Sequence, residues 1–300
     1  MRVHHLNCGS MKLADMVSHC LLVETEGGLV LVDTGFGLDD VFDHKRTGPA
    51  RRMLRPVFDP EETAARRVER LGFRREDVRH IVITHFDVDH IGGLSDFPHA
   101  QVHVTAAEAL ASMIAPTRRE KLRYEAAQWA HGPKIVEHTP DGERWRDFAA
   151  AKELDEISPG IVLLSLPGHT RGHACVAVDA GDRWIVHAGD AFYHHGTLDG
   201  RSPVPASLRA MERMVAYDIK RVRANHARLA ELYQRGEPDL VLVNSHDRLL
   251  LEKTRAGQDN LCEPDGTPTG QGRGAGELPV GHLEHADLQH LDRSAGGGCR

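Results

Sequence analysis

The chain has 300 residues, of which 40% are hydrophobic and 27% are charged, as is ordinary for a soluble globular protein. Its formal net charge is −7 at pH 7, and it has no long basic block or basic-aromatic stripe, so we expect no nucleic-acid partner. The N-terminus lacks the apolar core of a signal peptide, and no segment approaches about 18 uncharged apolar residues. These features predict a cytoplasmic protein with no membrane partner.

Five cysteines are widely scattered along the chain and form no CxxC pair. An odd number at such spacings predicts free thiols rather than a disulfide framework or a cysteine-rich metal site. They are Cys8, Cys20, Cys175, Cys262 and Cys299.

The first elements in chain order are a hairpin and a helix. Residues 17–34 form two apolar runs joined by a glutamate and two glycines, which predicts a β-hairpin. Its second strand ends at Asp33, whose carboxylate either orients a metal-bound histidine or closes an Asx turn. Further on, Asp59 followed by Pro60 predicts the start of a helix that reaches Leu71.

Potential metal ligands follow a buried strand in residues 81–94, IVITHFDVDHIGGL. Two imidazoles and two carboxylates this close together cannot all pack in an apolar core, because burying an unpaired ionised group is costly. A divalent cation resolves that conflict, and zinc, iron and manganese all accept mixed imidazole and carboxylate ligands. The four side chains are His85, Asp87, Asp89 and His90.

The next segment predicts a strand near residues 99–104, a helix capped by Thr105, and an irregular insertion at about 112–150. Aromatic residues make up 5% of the chain, and four of them lie in this insertion. These side chains either line an entrance to the metal site or pack a helical insertion against the sheet. They are Tyr124, Trp129, Trp145 and Phe148.

The second half of the chain repeats the pattern of an apolar strand followed by a potential ligand. Three further strands precede His169, Asp190 and His246. Because strands can end at one edge of a sheet, ligands that are distant in sequence can meet there. Residues 206–235 have the periodicity of two helices, and a glycine-rich, disordered tail is predicted over residues 255–300.

With their flanking motifs, these residues resemble the metallo-β-lactamase superfamily over roughly residues 3–253. The resemblance implies an α/β fold, the αββα sandwich of two mixed β-sheets with outer helices, as one catalytic domain over residues 1–254. It also implies two divalent metal ions. One would be held by His85, Asp87 and His169, the other by Asp89, His90 and His246, with Asp190 between them.

Asp87 departs from the superfamily pattern, which commonly has histidine at this position. An anionic ligand makes the first metal site harder, so iron or manganese becomes more plausible there. Related diiron flavoproteins carry a carboxylate at this place, but this chain has no flavodoxin-like domain. We expect Zn²⁺ first, with iron or manganese as alternatives.

The segment Asp190-Ala191-Phe192-Tyr193 resembles the N-acyl-homoserine lactone lactonases, in which a tyrosine three residues after the bridging aspartate faces the substrate carbonyl. This resemblance implies a metallo-hydrolase that opens the lactone ring of a small-molecule substrate with a metal-bridging hydroxide. Tyr193 would stabilise the oxyanion, and Asp89 would carry a proton to the leaving alkoxide.

Other functions fit the same residues. One is a thioesterase of the glyoxalase-II type, and another is a non-hydrolytic iron enzyme, either persulfide dioxygenase-like or a redox partner. A third is a binding module that keeps its metal only for structure. The sequence does not indicate an oligomeric state.

Overall fold

The computed structural model describes residues 1–259, and in this part of the chain twelve strands form two mixed six-stranded sheets. Helices cover the outer faces of both sheets, which confirms the predicted αββα sandwich. The first sheet consists of β1 (Arg2–Ser10), β2 (Val17–Thr25), β3 (Gly28–Val32), β4 (Val78–Val82), β5 (Gln101–Thr105) and β6 (Lys134–His138). The second consists of β7 (Glu143–Trp145), β8 (Phe148–Glu153), β9 (Ile161–Ser165), β10 (Ala174–Asp179), β11 (Trp184–His187) and β12 (Leu240–Val243).

Both sheets mix parallel and antiparallel pairs. In the first, β1 to β3 are antiparallel neighbours, as the predicted hairpin requires, and β3 to β6 are parallel. In the second, all neighbours are antiparallel except β11 and β12. The strand order β12-β11-β10-β9-β8-β7 places β12 at one edge.

The sheets pack face to face through aliphatic side chains. The end of strand β4, at Ile81 and Val82, is buried on both faces, as its apolar run predicts. Val82 packs between the sheets with Val176 and Val243, whereas Ile81 packs on the outer face with Val68. Sheet-to-sheet packing therefore fixes the ends of β4, β11 and β12 relative to one another.

Ten α-helices lie within the described residues. They are α1 (Leu38–Phe42), α2 (Ala50–Leu54), α3 (Ala64–Arg70), α4 (Val88–Ile91), α5 (Ala106–Ala109), α6 (Arg118–Arg123), α7 (Gly196–Asp199), α8 (Ala206–Val215), α9 (Ile219–Gln234) and α10 (Arg248–Asp259). Thr105 caps α5, as predicted, and Asp218 caps α9. Leu229 and Leu232 of α9 pack on the outer face of the second sheet.

The helix predicted from Asp59 to Leu71 is wrong in one respect. Pro60–Glu62 form a 3-10 turn, and α3 begins only after Thr63. The Asp59 carboxylate accepts a hydrogen bond from the Glu61 amide at 2.9 Å, as a cap should. Because Thr63 acts as a second capping residue, the helix is split.

Residues 112–150, predicted as an irregular insertion, are more regular than that, since they contain α6, β6 and β7 and the start of β8. Their aromatic side chains pack in the cores instead of lining an entrance. Trp129 lies edge-on against Phe86, and Trp145 and Phe148 join the second-sheet core. The Tyr124 hydroxyl donates to Glu108 at 3.1 Å. The packing alternative is therefore correct.

Cys8, Cys20 and Cys175 are buried free thiols. Helix α10 continues to residue 259, a few residues past the predicted start of the tail. The rest of that predicted tail, with the other two cysteines, lies outside the described residues. Among the residues that are described, no helix has the length and apolar character needed to cross a membrane.

Candidate metal centre

The seven predicted ligands converge where strands of both sheets end. Strand β4 stops at Val82, and the short helix α4 then turns Asp89 and His90 towards the second sheet. The glycines after α4 are required by close packing, because a Cβ atom on Gly92 would lie 2.0 Å from the Asp40 carboxylate. The IVITHFDVDHIGGL segment therefore combines a buried strand, a turn that carries the potential ligands, and a closely packed pair of glycines.

The first ligand group contains His85, Asp87, His169 and Asp190. His169 Nε2 lies 2.9 Å from Asp87 Oδ2 and 3.3 Å from Asp190 Oδ2. His85 Nε2 lies 3.4 Å and 3.7 Å from the same two oxygens. Two imidazole nitrogens and two carboxylate oxygens thus face one small volume.

The second group contains Asp89, His90 and His246. His246 Nε2 lies 3.0 Å from Asp190 Oδ1 and 3.7 Å from Asp89 Oδ2. His90 Nε2 lies 3.3 Å from Asp190 Oδ1 and 3.9 Å from Asp89 Oδ1. Asp190 therefore turns one oxygen to each group, and the two groups correspond to the two predicted ligand sets.

The outward nitrogen of each ligand histidine has a polar neighbour, which fixes the ring with Nε2 towards the centre. His90 Nδ1 lies 2.8 Å from Asp33 Oδ2, and this contact favours the orienting role of Asp33 over a simple turn. The other three contacts are His246 Nδ1 with the Val17 carbonyl at 2.8 Å, His85 Nδ1 with Thr84 Oγ1 at 3.0 Å, and His169 Nδ1 with the Tyr193 hydroxyl at 3.2 Å.

Buried polar atoms without hydrogen-bond partners indicate that these residues fit metal ions. His85 Nε2, His90 Nε2 and Asp190 Oδ1 face the centre and are buried with no hydrogen-bond partner among the described residues. Buried polar atoms are ordinarily satisfied, so three such atoms at one point call for a ligand. Two divalent cations would satisfy all of them.

The electrostatics agree with that fit. Burial lowers the pKa of His85 to about 4, which keeps its imidazole in the neutral form that binds metals. Burial also acts to lower the pKa of His90, but Asp190 and Asp33 outweigh it and hold that pKa well above its ordinary value. The carboxylates thus stabilise positive charge at the centre, which a bound cation would also supply.

Comparison with known proteins agrees with this geometry. Residues 13–246 match the family model for the metallo-beta-lactamase superfamily. The chain belongs to the metallo-beta-lactamase superfamily. A probable metallo-hydrolase of Mycobacterium tuberculosis is 59% identical to it over 257 residues, which cover 85% of this chain and 83% of that relative. The protein is accordingly a metallo-hydrolase.

Relatives with named substrates are more distant. An N-acyl homoserine lactonase of Bacillus cereus is 25% identical over 231 residues, which are 76% of this chain and 80% of the lactonase. A structure of Bacillus thuringiensis AiiA with N-decanoyl-L-homoserine at its active site has a TM-score of 0.61 at 20% identity, covering 87% of this chain and 96% of that one. The structural similarity shows the shared fold.

In this metallo-beta-lactamase fold, Tyr193 lies beside the centre. Burial, and then the nearby Asp190, raise the pKa of its phenol well above the usual value, so the hydroxyl stays protonated. When His169 Nε2 faces a metal, its Nδ1 carries the ring proton and donates to the Tyr193 oxygen. The phenolic hydrogen then stays available for a substrate oxygen.

Glu108, for which the sequence indicated no role at the centre, lies buried between two of its loops. Its buried carboxylate accepts hydrogen bonds from the Phe86 amide and the Tyr124 hydroxyl on one oxygen, at 3.0 Å and 3.1 Å. Its other oxygen accepts from Thr170 Oγ1 at 2.6 Å and the Gly172 amide at 3.0 Å. Glu108 thereby joins the loop that carries His85 to the loop that carries His169.

Arg123 was missed as well. Its guanidinium donates to both carboxylate oxygens of Asp87, with Nε 2.6 Å from Oδ1. It reaches the centre from α6, 36 residues further along the chain.

Three further histidines form a row across the first sheet, apart from the seven predicted ligands. His80, His103 and His138 lie on neighbouring strands β4, β5 and β6. His103 uses both ring nitrogens, one with His80 and one with His138, each at 2.9 Å. Glu156 is 3.6 Å from His138, beyond hydrogen-bond distance. This row is a hydrogen-bonded ladder, and we assign it a structural role.

A groove of about 1650 Å³ lies along β1, β12, α9 and α10, and none of the seven predicted ligands lines it. A smaller cleft of about 240 Å³ is lined by Tyr193, together with Leu208 and Glu212. Because Tyr193 also contacts His169, this cleft lies beside the candidate metal centre.

Proposed function

We propose that this metallo-hydrolase opens the ring of lactones of the N-acyl-homoserine type and binds two divalent ions, with Zn²⁺ as the first candidate. The observation that carries the proposal is Asp190, whose two oxygens face two separate groups of ligands. Bound at these groups, the ions would supply a hydroxide at neutral pH and polarise the carbonyl group of the substrate.

The protein's own residues supply the remaining functions. Tyr193 donates its phenolic hydrogen to the substrate oxygen on which negative charge develops, an interaction that is strongest in the transition state. Asp89 lies in the second ligand group, where its carboxylate can take up a proton and deliver it to the leaving alkoxide. Asp190 and the four histidines hold the centre in a fixed geometry.

An apolar cluster beside the centre, part of which lines the cleft of about 240 Å³ through Tyr193 and Leu208, supports an acylated substrate. It includes Tyr193 and Val88, which directly precedes the ligand Asp89. The cluster is rich in methionine, whose flexible thioether side chain adapts to apolar groups of different shape. Its other buried members are Met11, Met16, Phe36, Leu54, Leu208 and Met211.

Acid release from a panel of lactones with different acyl chains, followed with a pH indicator, tests this proposal. We expect hydrolysis of N-acyl-homoserine lactones and faster turnover with longer acyl chains. Parallel measurements on thioesters of glutathione and on simple aryl esters address the thioesterase alternative. A two-ion protein that cleaves thioesters but no lactone would contradict the proposed substrate class.

Asp87 favours the iron alternatives, because a carboxylate oxygen is a harder ligand than an imidazole nitrogen at the first metal position. Elemental analysis of the purified protein separates them from the hydrolase. A single iron ion without a second metal would support a non-hydrolytic iron enzyme, whereas two ions per chain agree with the hydrolytic centre.

A further inference from the structure

Arg123 stands next to the first ligand group, in contact with Asp87 and His169. Its Nε and Nη2 atoms form a two-pronged contact with Asp87, at 2.6 Å and 2.5 Å. Nη2 also lies 2.7 Å from His169 Nε2, the nitrogen that faces the centre. The guanidinium therefore touches two of the four candidate ligands of the first position.

This arginine is held in place by the backbone around it. Its Nη1 atom donates to the Val215 carbonyl at 2.6 Å and to the His169 carbonyl at 3.3 Å. The side chains of Arg123 and Asp87 are only 14% and 19% exposed. A planar guanidinium with this set of acceptors is fixed in position, so its charge acts on the centre from a defined place.

The pair explains how the fold tolerates a carboxylate where the superfamily pattern has histidine. A histidine ligand is neutral, and the carboxylate of Asp87 together with the guanidinium of Arg123 is also neutral in sum. Asp87 Oδ1 accepts from Arg123 Nε, whereas Oδ2 accepts from Arg123 Nη2 and also lies among the ligand nitrogens of His85 and His169. Oδ2 is thus shared between the arginine and the metal position, whereas Oδ1 faces the arginine.

We propose that Asp87 and Arg123 together replace the missing histidine: Asp87 offers one oxygen to the first metal position, and Arg123 cancels its charge and so sets the affinity of that position. This inference rests on the proposed two-ion centre and does not depend on the substrate. Arg123 acts as a positioning residue, since it contacts the ligands and not the reacting atoms.

The inference changes what is expected of the Asp87→His variant. On the sequence alone, restoring histidine should preserve or improve zinc binding. In this structure the variant leaves the Arg123 guanidinium beside the ion without its counter-charge. First-position affinity should therefore fall about tenfold or more, because two like charges at short range repel in a partly buried site.

Four variants separate the effect of side-chain charge on first-position affinity from the effect of side-chain shape. Arg123→Met leaves the carboxylate uncompensated and should bind the first ion more tightly than wild type. Arg123→Lys keeps the charge and should stay close to wild type. The double variant Asp87→His with Arg123→Met is neutral again and should recover wild-type affinity. Arg119→Met is the matched control from the same helix, because Arg119 donates its hydrogen bonds to backbone carbonyls of residues 214–217.

The readout is zinc bound per full-length chain over a series of buffered free Zn²⁺ concentrations. The His246→Ala variant removes a ligand of the second position and so identifies which binding transition belongs to the first. An unchanged second transition in the Asp87 and Arg123 variants shows that the fold is intact. No substrate is needed for this measurement.

The expected order of first-position affinity is Arg123→Met, then wild type with Arg123→Lys and the double variant, then Asp87→His. Wild-type affinity in Asp87→His, or no recovery in the double variant, would overturn the pairing. Weaker first-ion binding in Arg123→Met would overturn the charge role. A wild-type chain that binds fewer than two ions would instead remove the two-ion centre itself.

Discussion

The Tyr193 hydroxyl group is the single side-chain group on which the proposed chemistry depends most. Tyr193→Phe removes the oxyanion donor but keeps the ring in the apolar cluster. Turnover of an N-acyl-homoserine lactone should fall about 100-fold, as for other single oxyanion donors. Zinc content should stay at the wild-type level, because the carboxylate and imidazole ligands are unchanged. Equal turnover at equal zinc content would remove Tyr193 from the reaction.

Individual ligands could be predicted from the sequence because each one follows an apolar strand. Arg123 and Glu108 could not, since their contacts arise only in the folded chain. Glu108 binds Thr170, which is 62 residues away in sequence. The T-x-x-E spacing from Thr105 to Glu108 predicts a helix cap, and the Thr105 hydroxyl does accept from the Glu108 amide. The glutamate carboxylate, however, serves the metal-site loops.

Two loops of the centre depend on Glu108 for their relative position. Glu108→Gln keeps the size of the side chain but replaces one acceptor oxygen by an amide group that faces hydrogen-bond donors. We expect a loss of about 1–3 kcal/mol in the free energy of unfolding, because buried donors lose their acceptor. Urea denaturation measures this loss.

The control for Glu108 is Glu231→Gln on the exposed face of α9, where the glutamate side chain is 72% exposed. A surface change of this kind should stay within about 0.5 kcal/mol of wild type. Similar stability of both variants would show that Glu108 does not join the two loops. Loss of zinc affinity in Glu108→Gln alone would extend its role from stability to the metal centre.

At the level of whole elements, apolar runs and capping residues made most strands and the longer helices predictable. Strands β6, β7 and β8 were missed for a physical reason. β6 and β7 carry charged or partly exposed residues at most positions, and β8 is rich in alanine. They gain stability from pairing at the sheet margins, which a local apolar pattern does not reveal.

Acid should destabilise the molecule through its buried neutral histidines. Burial, followed by neighbouring histidines, lowers the pKa of His5 and His103 to about 3. The unfolded chain binds these protons near pH 6.5 and the folded chain does not. The associated stability is therefore complete above pH 6.5 and is lost as the pH falls towards 3, by about 1.4 kcal/mol per pH unit for each group.

His103→Gln tests that linkage by urea denaturation at pH 7 and pH 5. The variant should start less stable, because His80 and His138 lose a partner. It should then lose up to about 2 kcal/mol less than wild type on acidification. Both proteins share the same metal ligands, so release of metal affects them alike. Equal losses would mean that the ladder does not control acid stability.

For the whole molecule, the resemblance carried by the strand-end motifs predicted the two-sheet sandwich and its edge site. The order of strands within each sheet could not be read from the chain, because pairing between distant segments leaves no local pattern. The strand β12 reaches β11 across 52 intervening residues. This long crossover brings His246 to the centre, so the site depends on the complete fold.

The most direct test of a two-ion lactonase is the rate of N-acyl-homoserine lactone hydrolysis as zinc is returned stepwise to metal-depleted protein. We predict little hydrolysis with one ion per chain and full activity at two. Full activity with one ion, or no hydrolysis with two ions bound, would contradict the account.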